Sequence, residues 1–269
     1  MPAEKYASAP VRPAPQARPA EAAFFDVDNT LMRGASIFHV GRKMYERGAF
    51  TLRDAAGFAW KQFTFLLRGE NLEDVHSIQA SALALAAGIR AEDIATVGYE
   101  VYDEMIESRI WPGAKALAEQ HLRVGRRVWL VTATPIEIAS VIAERLGLTG
   151  ALGTVGEIEN GAYTGRLVGE ILHGRAKAEA AADLAEREGL DLKHCWAYSD
   201  SHNDIPLLSI VGHPVAINPD ARLRRHANAH NWPIYDFRSG RRAATLGLKL
   251  ATVGGAVYGL WRSYTRFRR

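Results

Sequence analysis

Three short apolar runs, far apart in the chain and each ending abruptly in carboxylate or hydroxyl side chains, constrain the fold more than any other feature. They are Ala22 to Phe25 before Asp26, Val128 to Val131 before Thr132, and Cys195 to Tyr198 before Ser199 and Asp200. A short continuous apolar run reads as a strand buried on both faces, as in parallel sheets. Segments with helical spacing follow two of them, Ile136 to Leu146 closed by Gly147 and Ile205 to Val211 closed by Gly212. Strands alternating with helices predict an α/β fold with a doubly wound parallel sheet. In such sheets ligands gather beyond the carboxyl ends of the strands, so the three polar clusters are expected to meet there.

Residues 33–110, between the first two strands, show helical spacing and no convincing strand, which predicts an inserted helical cap. Phe38, Tyr45, Phe50, Phe58, Trp60, Phe63, Phe65, Leu66 and Leu67 supply apolar surface for a small bundle core; lining of a substrate pocket is the competing reading. Further on, Asn160 and Gly161 sit between alternating segments, a strong hairpin signal. A helix is expected from Arg175 to Glu188, just after Gly174, with Lys177 in its first turn. A cation is disfavoured there by the helix dipole, so a lysine so placed suits a bound anion. The expected organisation is a leader over 1–21, a catalytic core over 22–32 and 111–237, the cap over 33–110, and a basic, apolar tail over 238–269.

The segment FFDVDNT places Asp26, Asp28 and Thr30 at spacing two directly after a strand. Alone, such carboxylates serve turns and caps as often as chemistry. Thr132 after the second run, Lys177 at a helix start, and Asp200 with Asp204 in YSDSHND complete an ordered set. This set resembles the four motifs of the haloacid dehalogenase (HAD) superfamily over about residues 22 to 220. The hairpin and the segments IPLL and VAINPD are most similar to subgroup IB, which includes the phosphoserine phosphatases.

The resemblance implies a Rossmannoid core with a cap inserted after the first strand, and a magnesium-dependent phosphatase acting on a phosphorylated small molecule. It implies Asp26 as nucleophile and Asp28 as general acid and base. Thr132 and Lys177 would hold the phosphoryl oxygens, with Thr30 beside them. Asp26, Asp200, the Asp28 carbonyl and Asp204 would hold or support Mg2+. Magnesium suits the set because it is a hard ion taking a few carboxylates and keeping waters. Asn203 stands where related phosphatases contact phosphate, and reads equally as the N-cap of a helix from Asp204. His202, His39 and His173 read as solvated loop or surface histidines. Ala35 departs from the phosphoserine phosphatases, which carry a glutamate there to bind the amino acid. Losing such a charge-assisted contact forfeits about 1.5 to 3 kcal/mol, so a small phosphomonoester other than phosphoserine is expected. Transfer to an alcohol, a lipid substrate and a non-catalytic regulatory HAD protein are the alternatives.

Charge narrows the partners. No Asp or Glu follows Asp236, whereas eight Lys and Arg do; without them 25 basic residues face 30 acidic ones, an unpromising surface for nucleic acid. Ala243 to Trp261 is mostly small or apolar, broken by Lys249 and flanked by arginines, with Gly255 and Gly259 in a GxxxG pair. Contact with a membrane surface through 241–269 and a helix packed on the protein are both consistent with that tail. Residues 1 to 20 hold five prolines and six alanines, predicting a disordered leader without a secretory signal. A single cysteine, Cys195, permits no internal disulfide and fits a reducing cytoplasm. The oligomeric state is not encoded in any of these features.

Overall fold

A computed structural model of the chain describes residues 21–49 and 86–238. The expected leader to residue 20, the cap residues from Phe50 to Leu67, and the tail from residue 239 lie outside these. The chain divides into a unit from Met1 to Ile234 and one from Tyr235 to Arg269. Of the second, only 235–238 is described, where Asp236 Oδ2 accepts from Arg238 Nη2 at 2.8 Å.

The sheet of the first unit is built from β1 (Ala22–Phe25), β2 (Arg127–Pro135), β3 (Gly150–Thr154), β6 (Trp196–Ser199), β7 (His213–Ile217) and β8 (Ile234–Tyr235), in the order β3-β2-β1-β6-β7-β8. The pairings β3–β2, β2–β1, β1–β6 and β6–β7 are all parallel. The expected α/β doubly wound sheet is therefore present, and every β1 side chain is fully buried. The chain leaves β1 toward β2 on one side and leaves β6 toward β7 on the other. Loops at the carboxyl ends of β1 and β6 thus diverge and leave a crevice between them.

Strand β2 is longer than its apolar run predicts. It continues through Thr132 to Pro135 with an irregularity in its pairing to β3. Thr132 lies inside the strand rather than after it, because the β-branched side chains of Thr132 and Thr134 suit an extended backbone.

Helices α4 (Ile136–Arg145) and α5 (Arg175–Glu188) start and stop close to their sequence signals. Gly147 and Gly189 adopt left-handed φ values of 65° and 62° just past the two helices, a conformation that costs other residues. The face of α5 toward the sheet is nearly all alanine, with Ala176, Ala180, Ala181 and Leu184 packed against Phe24, Trp129 and Leu172. Strands β4 (Gly156–Glu159) and β5 (Ala162–Leu167) form the predicted hairpin, turning at Asn160 and Gly161, both at positive φ. The helices α6 (Ile205–Ile210) and α7 (Ala221–Ala229) flank β7.

In the insertion, α1 (Ser36–Glu46) and α2 (Ala91–Val101) are described, the latter running on through a π-turn and a 3-10 turn to Arg109. α3 (Pro112–Arg123) follows. The way out and the way back lie side by side: Met32 bridges Ile110, and the Trp111 amide donates to the Leu31 carbonyl at 2.9 Å. Ile94, Val97, Gly98 and Val101 face the core, and Gly98 lets α2 close on α4, where a Cβ would stand 3.1 Å from Ile138 Cδ1. Phe38 and Tyr45 depart from the bundle-core reading, at 60% and 40% exposure. The buried stripe of α1 is Ser36, Val40 and Met44, and the helical repeat turns both rings away from it. Among the described residues no helix is long and apolar enough to cross a membrane.

Candidate active site

Asp26 leaves β1 still hydrogen-bonded to its neighbour, its amide donating to the Tyr198 carbonyl at 3.0 Å. The chain then turns tightly, with Asn29 at φ 58° and its side-chain oxygen accepting from the Gly34 amide at 3.1 Å. This turn drops Thr30 back under Asp26. The Thr30 hydroxyl lies 3.0 Å from Asp26 Oδ2 and 3.2 Å from Asp200 Oδ1, so it touches the carboxylates that end β1 and β6.

From the other side, α5 brings Lys177 against the same group. Its Nζ donates to Asp26 Oδ1 and to Asp204 Oδ2, each at 2.7 Å, and the Ser199 hydroxyl also donates to Asp204 Oδ2 at 2.7 Å. Five predicted residues, Asp26, Thr30, Lys177, Asp200 and Asp204, thus share one network. Lys177, Asp26 and Asp204 are all nearly inaccessible to solvent.

Electrostatics follow from that burial. Desolvation pushes Asp26 up to about 6, with Asp204 and Asp28 adding to the rise and Lys177 opposing it. Desolvation, then the Asp26 charge, pushes Asp200 up to about 8. Burial alone would lower the Lys177 ammonium, but Asp204 and Asp26 more than offset it and hold it above the ordinary lysine range. Three carboxylates against one ammonium leave two negative charges uncompensated if all are ionised. Of the oxygens on these three carboxylates, Asp204 Oδ1 is buried with no hydrogen-bond partner.

Asp28 and Thr132 belong to a second network. The Thr132 hydroxyl donates to Thr134 Oγ1 at 3.0 Å, Thr134 Oγ1 lies 2.8 Å from Ser36 Oγ, and the Ser36 amide donates to Asp28 Oδ1 at 2.8 Å. Ala35, at the N-cap of α1, has no side chain to cap it. The Asp28 carboxyl does so instead, accepting from the amide of Ser36 eight residues on. Burial raises its pKa, and the Ser36 bonds only partly counter this.

Two expectations in the loop after β6 are corrected. Asn203 is not a helix N-cap: Ser201 holds that place in a 3-10 turn over His202–Asp204, its hydroxyl accepting from the Asn203 amide, and Asp204 itself stands at the start of α6. Serine wins because its hydroxyl reaches the amide two residues on. The Asn203 side chain enters neither network. His202 is no solvated loop residue, since Asp220 Oδ2 accepts from its amide at 2.8 Å and lies 3.0 Å from Nδ1. His39, on α1, is pushed below the ordinary imidazole range by partial burial and by Arg109.

Sequence reasoning passed over Ser36, Thr134, Asn218 and Asp220, and named Ser199 only as the end of its apolar run. Asn218 is buried at φ 49° and donates to the Asn29 carbonyl at 3.1 Å, bracing the turn beneath Thr30. The Asp220 amide braces the Asp200 carbonyl at 2.8 Å. The only signal for these two was the VAINPD segment.

Among the described residues no three Asp, Glu, His or Cys side chains form a ready set of metal ligands. Asp26 Oδ2 and Asp200 Oδ1, both within reach of the Thr30 hydroxyl, are candidate ligands from the ends of two neighbouring strands. Two carboxylates are fewer side chains than a closed protein cage needs, but suit an ion that keeps most of its water.

The model of the haloacid dehalogenase-like hydrolases matches residues 23–209. A Mycobacterium leprae protein named as a hydrolase is 53% identical over 92% of this chain and 83% of its own. The Mycobacterium tuberculosis protein named phosphoserine phosphatase SerB1 is 54% identical over 89% of this chain and 79% of its own. A Bordetella pertussis crystal structure, titled as a protein of unknown function, superposes with a TM-score of 0.73 at 28% identity, covering 81% of this chain and 99% of that one.

Proposed function

The chain belongs to the haloacid dehalogenase-like hydrolase family and is a phosphatase of it; from that premise we propose that it hydrolyses a small phosphate monoester through a phosphorylated Asp26, with Mg2+ as cofactor. The observation that carries this reading is the buried Lys177 ammonium, shared by Asp26 and Asp204, beside a threonine shared by Asp26 and Asp200. A carboxylate held at the crevice between diverging strands, with a fixed cation beside it, is arranged to meet an anionic substrate.

The donor chemistry fits magnesium. With Asp26, Asp200 and Asp204 all ionised, the two negative charges that Lys177 leaves uncompensated match one divalent cation, and the unpartnered Asp204 Oδ1 supplies an acceptor for a bound water. Asp26, Asp200 and the Asp28 carbonyl would hold it, with Asp204 outside them. When bound, the ion supplies positive charge that lowers carboxylate pKa values and offsets the repulsion between substrate and nucleophile.

In the first step an Asp26 carboxylate oxygen attacks phosphorus. The ester P–O bond breaks, and the leaving alkoxide takes the proton held by Asp28. Burial keeps that proton on Asp28 at higher pH than an ordinary carboxyl would. In the second step Asp28, now a base, removes a proton from water, whose oxygen attacks phosphorus and frees Asp26 and phosphate. Lys177 holds the equatorial oxygens, joined by the Thr132 hydroxyl once it exchanges its bond to Thr134 for one to the phosphoryl group, so catalysis is positioning and electrostatics.

The substrate reading pulls in two directions. The 54% identical relative carries the name phosphoserine phosphatase, while Ala35 removes the carboxylate expected to meet a phosphoserine amine. We favour a phosphomonoester without that requirement. Phosphate release should be followed with Mg2+ and with chelator, over phosphoserine, histidinol phosphate and other small phosphomonoesters, beside Asp26→Asn. Magnesium-dependent release absent from Asp26→Asn, with phosphoserine outrun by another ester, is expected. No release above the Asp26→Asn background overturns the reading; phosphoserine as best substrate overturns only the argument from Ala35.

A further inference from the structure

Resting on that reading, we infer that Ser36 and Thr134 are positioning residues that aim the Asp28 acid, through a hydroxyl bridge between cap and core that is anchored on Thr132. Thr132 and Thr134 are two apart on β2, so their side chains emerge on one face of the sheet. The Thr132 hydroxyl proton goes to Thr134 Oγ1 at 3.0 Å, and the Thr134 amide donates back to Thr132 Oγ1 at 3.2 Å. That pairing holds the Thr132 oxygen in one rotamer. Thr134 Oγ1 then reaches across to Ser36 Oγ at 2.8 Å, and Ser36 opens the first cap helix. The Ser36 amide, 2.8 Å from Asp28 Oδ1, completes the path. Ser36 and Thr134 are 0% and 3% exposed, so water does not substitute for either hydroxyl.

Apolar side chains would fill the same space between α1 and β2 with no buried polar group to satisfy, and leaving one hydroxyl of a buried pair unmatched is costly. The polar bridge sits where it links the general acid to the phosphoryl-holding threonine. Ser36 ties the Asp28 carboxyl to Thr134, so proton delivery to the leaving group depends on the start of α1 staying seated on β2.

The effect shows in how strongly the rate depends on the leaving group. An alkoxide needs its proton as the P–O bond breaks, whereas a p-nitrophenolate leaves largely without one. kcat/KM reports the step up to transfer onto Asp26. Asp28→Asn, as reference, is expected to lose about a hundredfold or more on an alkyl phosphate and far less on p-nitrophenyl phosphate. If it loses both equally, the acid role of Asp28 fails, and the inference with it.

Given a selective Asp28→Asn, both Thr134→Val and Ser36→Ala should lower kcat/KM for the alkyl ester about tenfold and for the aryl ester less than about threefold, the signature of a misplaced acid. Thr134→Ser, which keeps the oxygen, should recover most of the loss. Equal losses on both esters mark a merely structural role and overturn the inference, as does no loss. Should Thr134→Val fail to fold, Ser36→Ala decides alone by the same comparison.

Discussion

Replacing Lys177 with methionine removes the one buried positive charge of the site while keeping most of its length. Nζ makes two contacts of 2.7 Å, to Asp26 and Asp204, and the lysine side chain is 5% exposed. Breaking a buried pair by deleting one partner costs about 3–5 kcal/mol, because the other charge is stranded. The stranded carboxylate has an escape, which sets a second scale. It can take up a proton, and doing so at pH 7 from an ordinary value near 3.9 costs about 4 kcal/mol. The two scales agree, so urea unfolding at pH 7 in chelator should show Lys177→Met less stable by about 3–5 kcal/mol. Adding Asp204→Asn removes a stranded charge, and the double variant should recover about 2 kcal/mol of the loss, a coupling expected for groups in contact. A Lys177→Met protein within about 0.5 kcal/mol of wild type, the range of an ordinary surface change, would refute the buried-pair reasoning. So would a double variant less stable than the single one.

Other consequences are testable in the same way. His121 is 5% exposed and 2.8 Å from the Tyr198 hydroxyl, and burial, then Arg126, pushes its pKa down to about 4. The unfolded chain therefore takes the proton first as pH falls. Its stabilising contribution is complete above about 6.5 and is lost between there and about 4, amounting to about 3 kcal/mol. His121→Gln should flatten the acid limb of the stability curve by that amount, and coincident slopes for the two proteins would contradict it. At Gly212 an added Cβ would stand 1.7 Å from the Lys193 carbonyl oxygen, so Gly212→Ala should cost about 3 kcal/mol or more in thermal or urea unfolding. An unchanged midpoint would show that the turn into β7 yields freely.

The sheet was legible because β1, β2 and β6 are buried on both faces and so read as unbroken apolar runs. Helix ends at Gly147 and the turn at Asn160 and Gly161 were legible from backbone chemistry alone. The first network was legible too, since Asp26, Thr30, Lys177, Asp200 and Asp204 each follow a strand or open a helix. What escaped was the support beneath it. Ser36 and Thr134 look like any small polar residues in sequence, and only the packing of α1 against β2 makes them neighbours across nearly a hundred positions. His202 was misread because its partner Asp220 comes from beyond the next strand. Phe38 and Tyr45 were misread because aromatic content was counted without asking which face of α1 carried it.

The central claim, that Asp26 itself carries the phosphoryl group, is tested most directly by trapping. Wild-type protein turning over an alkyl phosphate with Mg2+ would be acid-quenched, reduced with borohydride and analysed by peptide mass spectrometry. An acyl phosphate is reduced to an alcohol, so position 26 should be recovered as homoserine, in the presence of substrate only and never in Asp26→Asn. Turnover with position 26 always recovered as unmodified aspartate, or with the reduced residue elsewhere, would contradict the account.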